Sequence, residues 1–105
     1  MILGGIMQNI YIVFDDDHED ADLICVPDEI ANNIDNIVQL FFNWMGNKHN
    51  NHTFWAHTKS GFQYLLLGTD EFIWWLNNHY LHSGEMAIVI ERHVRYNPRY
   101  KMACF

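Results

Sequence analysis

Cysteine, proline and serine each occur only twice in this sequence of 105 residues. Cys25 and Cys104 lie near opposite ends of the chain. They allow one bridge at most, which excludes a disulfide framework and makes reduced thiols the expectation. Ser60 and Ser83 both fall in turn-like contexts. There is no GxSxG motif, no phosphate-binding glycine loop and no cysteine in a nucleophile setting, so no catalytic residue is assigned and the chain does not read as an enzyme. No apolar run approaches the ~18 residues that a membrane span needs. The apolar start Met1-Ile2-Leu3-Gly4-Gly5-Ile6 is broken by two glycines and has no basic residue before it. It does not read as a secretory signal, and residues 1–8 read as a short N-terminal tail. A cytoplasmic location follows as the expectation.

Basic residues are scarce as well: six against thirteen acidic ones, for a net charge of −7. The imbalance is local. Residues 1–52 carry nine acids and the single base Lys48, whereas residues 53–105 carry four acids against Lys59, Arg92, Arg95, Arg99 and Lys101. A first half this negative repels phosphate backbones, so ordinary nucleic-acid binding is disfavoured. The basic, aromatic tail from Arg92 reads as internal pairing for those acids or as a self-association surface.

What the chain has in plenty is apolar material, half of its residues by a broad count and 15% aromatic. That suffices for one packed core, and no linker, repeat or low-complexity tract divides the sequence. Residues 1–105 therefore read as one domain. Asn9–Phe14 is β-branched and aromatic, as a strand is, and Leu23–Val26 suggests a second short one. From Pro27 to Met45 the apolar positions Ile30, Ile34, Ile37, Val38, Phe41, Trp44 and Met45 step by three and four, which predicts one long amphipathic helix ended by Gly46. Thr53–His57 and Phe62–Leu67 flank a Gly-containing loop and predict a hairpin. Thr69 reads as the N-cap of a second helix with Asp70 and Glu71 in its first turn, ended by Ser83-Gly84. Met86–Ile90 is apolar on both sides and predicts a central strand. The basic, aromatic tail from Arg92 to Phe105, with Pro98, suggests an edge strand or an irregular wrap. The expected fold is α+β, a mostly antiparallel or mixed sheet with two amphipathic helices packed on it.

Three groups of residues are candidate sites. Asp15, Asp16, Asp17, Glu19, Asp20 and Asp22 place six carboxylates in eight residues. A calcium loop needs glycine at its sixth position and glutamate at its twelfth; counted from Asp15 these are Asp20 and Val26, so that reading fails. The cluster reads instead as an acidic docking surface, whose self-repulsion a cationic partner would relieve while gaining steered association. His49 and His52 are three apart, as are His79 and His82. Without a Cys-x-x-Cys or HExxH motif, neither pair is assigned a metal, and no cofactor is expected. Ile73 and Trp74 lie on the face of the second helix opposite Phe72, Trp75 and Leu76. If only one face is buried, Trp74 is an exposed anchor for a partner.

The acidic, aromatic-rich profile, with the segment Gly68-Thr69-Asp70-Glu71-Phe72-Ile73-Trp74-Trp75-Leu76-Asn77, resembles small bacterial immunity proteins, including those of contact-dependent growth inhibition. The resemblance implies a one-to-one complex with a cognate basic toxin, a nuclease by class, held by the six acids and Trp74. It implies direct contact with neither nucleic acid nor membrane. Two alternatives are a metal-binding protein or metal-dependent enzyme using the carboxylates or the histidine pairs, and a self-associating module using an apolar helix face and the tail.

Overall fold

The computed structural model describes residues 6–105. Of the expected N-terminal tail, residues 1–5 lie outside the described residues, while Met7 and Gln8 belong to the first strand. In chain order the elements are β1 (Met7–Val13), β2 (Ala21–Pro27), α1 (Asp28–Asn32), α2 (Ile34–Gly46), β3 (Trp55–His57), β4 (Gln63–Leu65), α3 (Thr69–Trp75), a π-helical turn over Leu76–Tyr80, β5 (Ile88–Val94) and β6 (Lys101–Cys104). The protein is α+β, with a four-stranded mixed sheet in the order β5-β2-β1-β6 and a separate β3-β4 hairpin.

β1 and β2 form the centre of the sheet, antiparallel and in register from Met7↔Pro27 to Val13↔Ala21. Alternation decides which side each residue serves. Ile10, Ile12, Ile24 and Val26 are fully buried beneath the helices. Tyr11, Val13 and Ala21 form a second small core on the other face with Leu23, Val94 and Met102. That second face is roofed by the connection from β5 to β6, which must cross from one sheet edge to the other. Three strand spacings of ~4.8 Å lie between those edges, well within reach of six residues at ~3.3 Å each. Tyr96 and Tyr100 of the connection pack on Tyr11 with ring centres 5.4 and 5.9 Å away.

The predicted long helix is two helices. At Asn33 the backbone leaves the helical region (φ −126°, ψ 29°), and the Asn33 amide donates to the Glu29 carbonyl at 3.0 Å. Short polar side chains compete in this way with the helix's own hydrogen bonds, and the apolar spacing continues undisturbed on both sides. Ile30, Ile37, Phe41 and Met45 still face the sheet. Phe41 is the hub, within 6 Å of Phe42, Phe72, Trp75 and Phe105; truncating a buried Phe to Ala costs about 3–5 kcal/mol.

Two further expectations change. Thr69 is not the cap of α3 but its first residue; Gly68 precedes it, and the Glu71 carboxylate folds back to accept from the Gly68 N–H at 2.9 Å. A Cβ on Gly68 would meet that carboxylate at 3.0 Å, so the small residue is what admits the contact. The helix ends earlier than expected, in the π turn closed by the Leu81 N–H on the Leu76 carbonyl at 2.7 Å. The apolar run Met86–Ile90 is not a central strand: β5 is a sheet edge, with Ile88 and Ile90 45% and 43% exposed. It is anchored by Asn77, whose amide exchanges two hydrogen bonds with the backbone of Ala87. Apolarity on both sides of this run therefore reports neither a central position in the sheet nor burial of its alternate residues. β6 is an edge strand as expected, and pairs parallel to β1.

No helix of the described residues is long and apolar enough to cross a membrane. Cys25 lies opposite Asn9 and Cys104 opposite Val13, on strands separated by β1. One intervening strand and four residues of offset put them beyond the ~7 Å limit for a disulfide, and both are free thiols.

Candidate functional site

The six acids of residues 15–22 do not form one surface. Asp22 belongs to β2, opposite Ile12 on the core side, and is 9% exposed. It accepts from the Thr69 hydroxyl at 2.6 Å and from the His93 N–H at 3.2 Å. His93 stands in the left-handed region (φ 55°) where β5 slips its register against β2, so Asp22 collects the amide that the irregular strand cannot pair. It therefore ties the start of α3 to β2 and β5, and the expected partner-binding role at this residue is corrected to a structural one. A buried carboxylate with fewer partners would be costly.

Glu19 and Asp20 are exposed but already paired. Asp20 meets His93 Nδ1 at 2.8 Å and Glu19 meets Arg95 at 3.4 Å, while the His18 carbonyl accepts from the Tyr96 N–H at 2.8 Å. The end of β5 and the tail beyond it thus back the loop with an imidazole and a guanidinium, and the Arg95–Glu19 pair is the internal pairing read from the basic tail. Arg92 pairs instead with Asp70 at 2.6 Å, and the Asp70 carboxylate, by hydrogen bond and charge, holds the guanidinium above its ordinary pKa.

Asp15, Asp16 and Asp17 remain. They are exposed and have no ion-pair partner among the described residues. Asp15 and Asp16 both have positive φ (50° and 58°), and the Asp17 N–H closes the turn on the Phe14 carbonyl at 2.9 Å. Two left-handed residues in succession are the mark of a mirror-image hairpin turn, and Asp and Asn are the residues with side chains that tolerate it best. The turn is held from below by Phe105, whose N–H donates to the Val13 carbonyl and whose carbonyl accepts from the Asp15 N–H.

Trp74 is half-buried and sits apart from these acids. Its ring lies 4.9 Å from His79, 5.0 Å from Phe54 and 6.0 Å from Trp44, at the junction of α2, α3 and the hairpin. It is one wall of a hollow of about 520 Å³ whose lining includes Lys48, Asn51, His52 and Trp55. No acidic side chain lines that hollow.

The histidine pairs separate into different tasks. His52 Nδ1 accepts from the Phe54 N–H at 3.1 Å and Nε2 donates to the Met45 carbonyl at 3.0 Å. With both nitrogens engaged, His52 has no lone pair for a metal. His79 packs between Trp44 and Trp74. Among the described residues, no group of three His, Cys, Asp or Glu side chains is placed to hold a metal ion.

No family model, curated protein or solved structure matches the chain. An apolar stripe on the hairpin has no counterpart among the sequence-derived candidates. Phe62, Tyr64 and Leu66 project there at 73%, 47% and 42% exposure. Their two-residue spacing is visible in the sequence, but the same spacing describes a strand face that is covered.

Proposed function

We propose that this protein is a binding protein of the immunity type, which neutralises a cognate basic toxin inside the cell by docking on the turn Asp15-Asp16-Asp17. The observation that carries the reading is the pairing pattern of the acids. Glu19 and Asp20 each have one partner and Asp22 is buried within the fold, whereas the adjacent carboxylates of the turn residues Asp15 and Asp16 and of Asp17, which closes the turn, face solvent with no ion-pair partner among the described residues. Like charges held side by side are relieved by a cationic partner, and the gain appears first in the association rate. The experiment is an association-rate measurement against a basic partner recovered from the source cells, with wild type and an Asp15→Asn/Asp16→Asn/Asp17→Asn variant across a salt series. A slower on-rate and a flatter salt dependence in the variant support the reading, whereas equal rates at low salt sink it.

A second reading, self-association, is favoured by the exposed stripe Phe62, Tyr64 and Leu66. A stable dimer buries about 1,200–2,000 Å² in total, more than three such side chains supply from two copies, so this surface alone supports only a weak dimer. Light scattering after size exclusion over a hundredfold concentration range separates the two readings.

A further inference from the structure

The hollow beside Trp74 belongs to a region unlike the rest of the molecule. Residues 36–69 contain no Asp or Glu, in a chain that carries thirteen. The same stretch contains Lys48 and Lys59 with His49, His52 and His57. The greater part of α2, the hairpin and the loop between them thus carry two lysines and no carboxylate, and the hollow itself is lined by Lys48 and no acid, a composition that favours an anionic ligand.

Its walls are aromatic and polar in a particular combination. Trp55 and Trp74 are both half-buried, each keeping part of its surface exposed. The His52 ring, locked by its two hydrogen bonds, lies nearly parallel to Trp55 (12°) with centres 6.0 Å apart, and the Lys48 ammonium stands 5.7 Å from the Trp55 ring centre. Asn50 spends its amide N–H on the Trp44 carbonyl at 2.9 Å, which leaves its oxygen as an acceptor. Asn51 is exposed at the rim. The loop is also built before any ligand arrives, since the Asn50 and His49 amides and His52 all bond back to residues 44–47. A volume of about 520 Å³ falls within the usual range for small-molecule sites.

From this we infer that the hollow is a binding site for a nucleotide unit, with the base stacked on Trp74 or Trp55, its edge on the Asn50 and Asn51 amides, and its phosphate at Lys48. Flat aromatic walls select a planar group, side-chain amides read the donor and acceptor edge of a base, and a lysine supplies the phosphate charge. A neutral sugar would leave the cation unused, and a phosphate alone would leave the tryptophans unused. The unit can be a free nucleotide or one residue of a single strand, because both present the same chemistry. The inference is independent of the acidic turn.

The test is a titration of the full chain followed by its tryptophan indole NMR signals, using AMP, adenosine, ribose 5-phosphate, and a ten-nucleotide dT strand beside dTMP. The expected result is saturable movement of the Trp55 and Trp74 signals with AMP, and affinity lower by about tenfold for adenosine and for ribose 5-phosphate. Lys48→Ala, at an exposed position that no core contact needs, should erase the difference between AMP and adenosine. Asn51→Ala should weaken AMP and adenosine alike. Tighter binding of the strand than of dTMP assigns the site to single-stranded nucleic acid, and equal binding assigns it to free nucleotides. No saturable shift with any probe, equal binding of ribose 5-phosphate and AMP, or a Lys48→Ala variant that still prefers AMP to adenosine overturns the inference.

Discussion

Replacing Asp22 with alanine removes the acceptor for two donors at once, the buried Thr69 hydroxyl and the part-buried His93 amide. Hydrogen bonds to a charged group contribute about 1.5–3 kcal/mol each, and the buried Thr69 hydroxyl would be left without its acceptor. Asp22→Ala should therefore lose about 3–5 kcal/mol, a large share of the 5–15 kcal/mol typical of a small domain. Urea unfolding with an unchanged slope measures the loss as a fall in midpoint. Thr69→Val deletes one of the two partners and keeps the volume, so on its own it should cost about 1.5–3 kcal/mol. Because a valine at this position leaves nothing for the carboxylate to bind there, Asp22→Ala and Thr69→Val should be non-additive in the double variant, with coupling of ~1 kcal/mol or more. The contrast is Asp16→Asn, an exposed acid of the same cluster, expected to stay within about 0.5 kcal/mol of wild type. A loss below about 1 kcal/mol for Asp22→Ala, or strict additivity with Thr69→Val, refutes the structural role given to this carboxylate.

Asparagine is the substitution of choice in the acidic turn, since Asp15→Asn and Asp16→Asn keep the left-handed backbone while removing charge; alanine at either position should cost about 1 kcal/mol in the same urea assay. Reducing agent should leave the melting temperature unchanged, because Cys25 and Cys104 are two strands apart and free; a drop on adding dithiothreitol would contradict the strand order. Arg92 is held above its ordinary pKa by Asp70. A raised folded-state pKa contributes stability below the unfolded value, lost only as pH rises through the folded one, and for Arg92 that window lies above the working range. The stability difference between wild type and Arg92→Gln should therefore be flat from about pH 6 to 10 and shrink with added salt, as expected of a solvent-exposed pair.

Much of the architecture was legible in the chain. The apolar steps of α2, the β-branched and aromatic run of β1, the hairpin around Gly61 and the acidic start of α3 are local patterns, and each is set by residues that are neighbours in sequence. The break at Asn33 was locally encoded too, but it is invisible to apolar spacing because the stripe runs on through it. The acidic character of the loop and the shortage of cations in the first half were plain from the composition.

Tertiary structure decided which of those residues remain available. Asp22 looks like its five acidic neighbours in the sequence. It is drawn inward by a hydroxyl 47 residues away and an amide 71 residues away, and no local pattern carries that information. Glu19 and Asp20 are paired by residues from the far end of the chain. Trp74 was legible as lying off the core face of α3, but the hairpin that half covers it comes from another part of the fold. Met86–Ile90 reads as buried on both sides, yet β5 ends at a sheet edge. Periodicity records which positions avoid water; what covers them, and which charges stay unpaired, is settled by partners distant in sequence that only the closed sheet and its packed helices bring together.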